Sequence, residues 1–82
     1  MTSGKADHVR SAQFPYVVIA DALRKRLEAG EWAPGAQLPT VETLAAEYRV
    51  SRATIAKAVE ILVGEGLLVS VPRWGIFRAE AE

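Results

Sequence analysis

The stretch from Leu38 to Leu67 constrains this chain more than any other, because it holds two helical patterns separated by about three residues. In the first, Leu44, Ala45 and Tyr48 recur at the spacing that lines one face of a helix. Thr40 follows Pro39 and is placed as its N-cap, with a hydroxyl that can accept an amide left unpaired in the first turn. Arg49-Val50 makes the turn. Ser51 caps the second pattern, whose buried stripe is Ile55, Ala58, Val59 and Leu62, and which Gly66 stops after about Glu65. Two helices joined this tightly read as a helix-turn-helix.

The flanks complete a fold around that pair. Pro15 suits the first turn of a helix, where its missing N–H has no partner to lose. Tyr16, Ile19, Ala20, Leu23 and Leu27 then fall at helical spacing, which predicts a helix from about Pro15 to Ala29 with Gly30 ending it. Pro34-Gly35 fits the middle of a type II turn, and it leads to a short extended piece at Ala36 to Leu38. Trp32 is expected to pack over the end of the first helix. Beyond Gly66, the apolar run Leu67, Leu68 and Val69 is followed by a loop holding Pro72 and Gly75, then by Ile76-Phe77. These two extended pieces predict a β-hairpin, which is unstable alone and must pack on the helices. A hairpin directly after a helix-turn-helix is the wing of a winged helix. The expected fold is therefore mainly α with a small β-hairpin, three helices plus a wing, spanning residues 14–79. Residues 1–13 are polar and aperiodic and read as a flexible tail, and 80–82 as the C-terminal end or the start of a linker.

Composition narrows the function. With 82 residues the chain holds one small domain, and a domain of that size buries only about 60% of its unfolded surface. There is no cysteine, and the single histidine, His8, lies in the tail, so nucleophilic, metal and thiolate chemistry lack their usual groups. No enzyme activity and no cofactor are expected. No apolar run approaches the roughly 18 residues of a membrane span and the N-terminus has no apolar signal segment, so a cytoplasmic protein is expected. The formal net charge is zero, yet Arg49, Arg52, Lys57, Arg73 and Arg78 face only Glu60 and Glu65 in the half from Arg49 to Arg78. That half carries a local excess of positive charge, which suits contact with phosphate.

A helix reads double-stranded DNA by laying its N-terminal turn in the major groove. On the helix opened by Ser51, the outward residues near the start are Arg52, Ala53, Ala56 and Lys57. Arg52 can pair in two-pronged fashion with guanine, and Lys57, a turn later, can meet phosphate as a point charge. Ser51 and Thr54 can give hydroxyl bonds to phosphate at a helix end that itself favours an anion. Each of these residues alone reads as a cap or a solvated charge. Their order, with a hairpin bearing Arg73 and Trp74 behind them, is what points to DNA. Arg73 at the wing tip can enter the minor groove or hold a phosphate. Trp74 either stacks on the sugar-phosphate edge or folds back onto the core.

The stretch from Tyr16 to Phe77 resembles the N-terminal winged-helix domain of the GntR family of bacterial transcription regulators. The residues that carry the resemblance are Ile19-Ala20 and Leu23, Gly30-Glu31, Pro34-Gly35, Leu38-Pro39, Leu44-Ala45, Val50-Ser51-Arg52, Thr54, Ala58, Leu62, Gly66, Gly75 and Phe77. The resemblance implies sequence-specific binding of an operator for transcription regulation, as a repressor, with the helix from Ser51 in the major groove. The DNA-contacting set it implies is Thr40, Arg49, Ser51, Arg52, Ala53, Thr54, Lys57, Arg73, Trp74 and Gly75. Family members carry an effector-binding, dimerising domain after the wing, which this sequence does not contain. The expectation is either an isolated DNA-binding module or a small regulator that forms a homodimer by other means.

Several positions depart from the family pattern. Where Ser-Glu-Arg usually follows Leu-Pro, this chain has Thr40-Val41-Glu42, so an acid stands where an arginine typically meets DNA. The usual arginine after Ile55 is Ala56, the usual threonine after Arg52 is Ala53, and the wing Gly-x-Gly-Thr is Arg73-Trp74-Gly75-Ile76. These losses, together with zero net charge, motivate a competing expectation: a winged-helix protein-interaction module with weak or no DNA binding.

Overall fold

The computed structural model describes residues 14–80, in the order α1 (Pro15–Glu28), α2 (Val41–Tyr48), α3 (Arg52–Gly64), β1 (Leu68–Val71) and β2 (Gly75–Arg78). The expected tail, with Lys5, His8 and Arg10, lies outside the described residues, as do residues 81–82.

Each helix begins and ends where local chemistry directs. Pro15 opens α1, and Ala29 followed by Gly30 at φ 84° closes it. Thr40 sits in extended backbone before α2, and its Oγ1 accepts from the Thr43 amide at 3.1 Å. Ser51 repeats the device on α3, accepting from the Thr54 amide at 3.1 Å. In both caps a second hydroxyl joins: Thr40 Oγ1 donates to Thr43 Oγ1 at 2.9 Å, and the Ser51 and Thr54 hydroxyls lie 3.0 Å apart. Between the helices Arg49 takes the left-handed conformation at φ 59°, which ends α2 and turns the chain toward α3. This is the tight turn expected at Arg49-Val50.

The core draws on every element. Leu23 of α1, Leu44 of α2, Ile55 and Leu62 of α3, and Leu68 of β1 are fully buried, and Ile76 of β2 is 3% exposed. Burying side chains of this kind contributes about 1.5–3 kcal/mol each relative to exposure. Tyr16, Trp32 and Tyr48, expected to face inward, are partly buried against this cluster, and none of the described polar side chains is buried.

β1 and β2 pair antiparallel, with Leu68 opposite Arg78 and Val71 opposite Gly75. The hairpin does not stand alone. The segment after the Pro34-Gly35 turn runs along the other edge of β2: Leu38 N donates to Ile76 O at 2.8 Å, and Arg78 N to Ala36 O at 2.8 Å. Gln37 and Phe77 form the bridge between them. The turn itself matches expectation, since Gly35 has φ 83° and Ala36 N donates to Ala33 O at 2.9 Å. The extended piece at Ala36 to Leu38 thus lies along the outer edge of β2 and anchors the wing to the helical body.

Three arginines fasten α1 to the rest. Arg24 meets the Glu65 carboxylate at the end of α3 through two bonds, Nε–Oε1 at 2.9 Å and Nη2–Oε2 at 2.7 Å. Arg26 grips Glu31 through Nε–Oε1 at 2.8 Å and Nη2–Oε2 at 2.6 Å, donates to the Tyr48 hydroxyl at 2.8 Å, and lies 4.7 Å from the Trp32 ring centre. Arg78 turns inward and donates to the Leu27 and Trp32 carbonyls at 3.1 and 2.6 Å.

Candidate nucleic-acid interface

The exposed start of α3 is the centre of the candidate interface. Periodicity decides which side chains it shows: Ile55, Ala58, Val59 and Leu62 go into the core, so Arg52, Ala53, Ala56 and Lys57 face solvent. Arg52 projects from the first helical position, with 69% of its side chain exposed. Ala53 and Ala56 leave the surface beside it low and smooth, which allows close approach of a flat partner. The Ser51 cap satisfies one amide, and the remaining first-turn amides still present the positive end of the helix.

Lys57 is exposed, but its ammonium rests 5.2 Å from the centre of the Tyr16 ring. That cation–π contact orients the lysine beside the first turn of α1. Tyr16, Thr54, Ala56 and Lys57 consequently line one shallow groove along α3. Tyr16, expected on the inward stripe of α1, is half-buried: it packs against the core and also lines this groove.

A second groove lies between the start of α2 and the wing. Thr40, Val41 and Glu42 form one wall, and Ser70 to Ile76, including Arg73, Trp74 and Gly75, form the other. Arg52 reaches the first wall, its Nη1 being 3.4 Å from Glu42 Oε2. The starts of α3 and α2 and the tip of the wing are therefore neighbours along one continuous surface.

At that tip Val71, Pro72, Arg73 and Trp74 form a turn closed by the Trp74 amide donating to Val71 O at 3.0 Å. Arg73 holds the third position at φ 73°, a conformation that ordinarily calls for glycine. Trp74 is 73% exposed, so it does not fold back onto the core. Gly75, at φ 120°, brings the wing backbone against Gln37, whose Nε2 donates to Trp74 O at 2.7 Å. A Cβ on Gly75 would fall 2.6 Å from that nitrogen. Gln37 was absent from the expected site, and no periodicity in so short a segment could have marked it.

The local charge differs from the sequence count. Arg78 is spent on carbonyls of α1 and the loop, while Glu65 is neutralised by Arg24. The outward cations of the second half are Arg49, Arg52, Lys57 and Arg73. Thr40, Ser51 and Thr54 keep exposed or half-exposed positions while serving as caps. Among the described residues, no group of His, Cys, Asp and Glu is placed to hold a metal ion, and no helix is long and apolar enough to cross a membrane.

Three helices with a capped, exposed third helix and a hairpin behind it define a winged helix-turn-helix. Residues 15–77 match the model of the bacterial regulatory proteins of the gntR family. The chain belongs to the GntR family. It is 37% identical over 76 residues to the histidine utilization repressor of Klebsiella aerogenes, covering 92% of this chain and 32% of that protein. It is 38% identical over 65 residues to the mannosyl-D-glycerate transport/metabolism system repressor MngR of Escherichia coli K12, covering 79% of this chain and 27% of that protein. It thus spans about a third or less of these relatives. Among solved structures, the DNA-binding domain of AraR in complex with operator ORE1 superposes with a TM-score of 0.77 at 35% identity, covering 79% of each chain.

Proposed function

We propose that this chain binds double-stranded operator DNA and regulates transcription as a repressor, with α3 in the major groove and the wing on the adjacent backbone or minor groove. One observation carries the reading: the capped first turn of α3 presents Arg52 beside a smooth alanine surface, contiguous with the wing that presents Arg73. Arg52 reads a base edge, while Lys57, Arg49 and Arg73 meet phosphates; Ser51, Thr54 and Thr40 add hydroxyl contacts, and Ala53, Trp74 and Gly75 allow close approach. The operator complex of AraR and the two repressors support the DNA partner and the sign of regulation. The unit of function is the domain of residues 14–79. It acts in the cytoplasm, without catalysis or a bound cofactor, as one of two copies on a pseudo-palindromic site.

A random-sequence duplex titrated at several salt concentrations tests this directly. Each phosphate contact adds about 0.9 to the slope of log affinity against log salt, so a few contacts give a slope of about −3 to −4. Arg52→Ala is expected to lower affinity for a selected operator by about tenfold or more while preserving most of that slope, because a lost base contact costs about 1–3 kcal/mol. Unchanged operator affinity in this variant would remove α3 from the reading. The Glu42–Arg52 pair and the zero net charge favour one second reading, a protein-interaction module. Absence of any complex with duplex at low salt is the outcome that supports it.

A further inference from the structure

We infer that Glu42 is a specificity-determining residue of this interface: it holds Arg52 in place, opposes binding to DNA in general, and accepts a hydrogen bond from a base amino group at the correct site. The inference rests on the DNA-binding reading above.

Glu42 lies in the first turn of α2, where a carboxylate is favoured by the helix end. Its side chain is 67% exposed, so it meets solvent in the free protein and would meet the partner in a complex. On one side it faces Arg52 at 3.4 Å; on the other it shares the groove with Arg73 and Trp74 of the wing. The acid therefore stands between two cations of the surface that approaches DNA.

A carboxylate in that place has two consequences. It repels phosphates whatever the sequence, and it leaves Arg52 less free to attach to any backbone it meets. Arginine has five N–H donors, and Nη1 toward Glu42 leaves the others to form a fork. Held from behind, the fork suits the two acceptors on the major-groove edge of guanine. Glu42 has only acceptor oxygens, and in the major groove its matching donor is the amino group of cytosine. A site supplying guanine to Arg52 and cytosine to Glu42 offsets the repulsion, and other sequences do not. Glu42 in this way trades general affinity for discrimination.

Glu42→Gln removes the charge and keeps a side chain of equal length. Two measurements are made on wild type and variant: affinity for a random duplex, and the base preference recovered by selection from a randomised pool. The variant is expected to bind the random duplex about five- to tenfold more tightly, the effect of one screened charge interaction near a surface. It is also expected to lose its preference at one base pair next to the guanine that Arg52→Ala loses. A thermal melt within a few degrees of wild type confirms that the fold is intact, as expected for so exposed a side chain. Equal random-duplex affinity and an identical selected site in both proteins would overturn the inference while leaving DNA binding in place. Failure of both proteins to bind any duplex at low salt overturns the DNA reading and this inference with it. Tighter binding with an unchanged selected site rejects the base contact, and with it the role assigned to Glu42.

Discussion

At Arg73 the turn's stability and the proposed DNA contact pull in opposite directions. The wing turn has Pro72 in its second position and Arg73 in its third, at φ 73°. A residue with a Cβ in the left-handed region costs about 1–2 kcal/mol, which glycine avoids. The family pattern has glycine at this point, so the arginine is strained where the common residue is not. Strain held at this surface tip motivates the proposed phosphate contact of its side chain. Arg73→Gly is expected to stabilise the domain by up to about 1 kcal/mol, the gain from relief of the turn less the added freedom of the unfolded chain. The same change should weaken duplex binding several-fold and reduce the salt slope by about one contact. Arg73→Asn serves as the control, because asparagine tolerates this conformation without bringing charge. Equal duplex affinity for the arginine, glycine and asparagine proteins, measured beside their melts, would show that the wing arginine makes no phosphate contact.

At the scale of elements, the helices were legible because the signals that start and stop them are local. Thr40 and Ser51 cap as expected, Gly30 and Gly66 follow the helix ends at positive φ, and the apolar stripe of α3 is buried as its spacing requires. The hairpin was legible from its turn residues. What could not be read was pairing across sequence distance. Nothing local marks the segment at Ala36 to Leu38 as a partner of β2, since three residues carry no alternation. The charge count of the second half misjudged Arg78, whose carbonyl partners Leu27 and Trp32 lie far back in the chain. The same limit hid the pairing of Arg24 with Glu65, and of Arg52 with Glu42. Of the candidate surface, the pattern of α3 marked which of its side chains face solvent, but not the partners those side chains meet. The cap on α3 offers a test at this scale, because Ser51 is both a helix cap and a proposed phosphate contact. Ser51→Ala should cost about 1 kcal/mol, lowering the melting temperature by about 4–8 °C in a domain this small. Ser51→Asp keeps a capping oxygen and adds charge, so it should melt near wild type yet bind duplex more weakly. Full duplex affinity in the aspartate protein would confine Ser51 to its capping role.

On the scale of the whole molecule, polar bonds strap α1 to its neighbours around a core of modest size. Arg24 ties it to the end of α3, Arg78 ties β2 to its last turn, and Arg26 ties it to the following loop and to α2. Arg26 gathers the most partners: the Glu31 carboxylate, Glu47 at 3.2 Å, the Tyr48 hydroxyl, and the faces of Trp32 and Tyr48. These contacts raise its pKa above the ordinary arginine value, chiefly through the hydrogen bonds to Glu31, and Arg24 is raised in the same way chiefly by Glu65. Both arginines stay charged throughout the usual range, so on the alkaline side their pairs persist until extreme pH, and on the acid side the limit is set by their carboxylate partners. Glu31 behaves in the opposite sense. The Arg26 hydrogen bonds, reinforced by its charge, hold the carboxyl below the ordinary carboxylate range. A depressed folded-state pKa means that the folded protein holds fewer protons than the unfolded chain between the two values. The contribution of Glu31 is therefore complete above the ordinary carboxylate range and declines as pH falls through and below it. Because 44% of the Glu31 side chain is open to solvent, water and salt screen the pair, and added salt should shrink the effect. Melting temperature followed from neutral pH downward should fall more steeply for the wild type than for Glu31→Gln, with the two converging at the acid end. Arg26→Met should be less stable than either at neutral pH, since it also leaves Tyr48 and Glu47 without their donor. Parallel acid limbs for wild type and Glu31→Gln would show that the strap between α1 and its loop contributes nothing to stability.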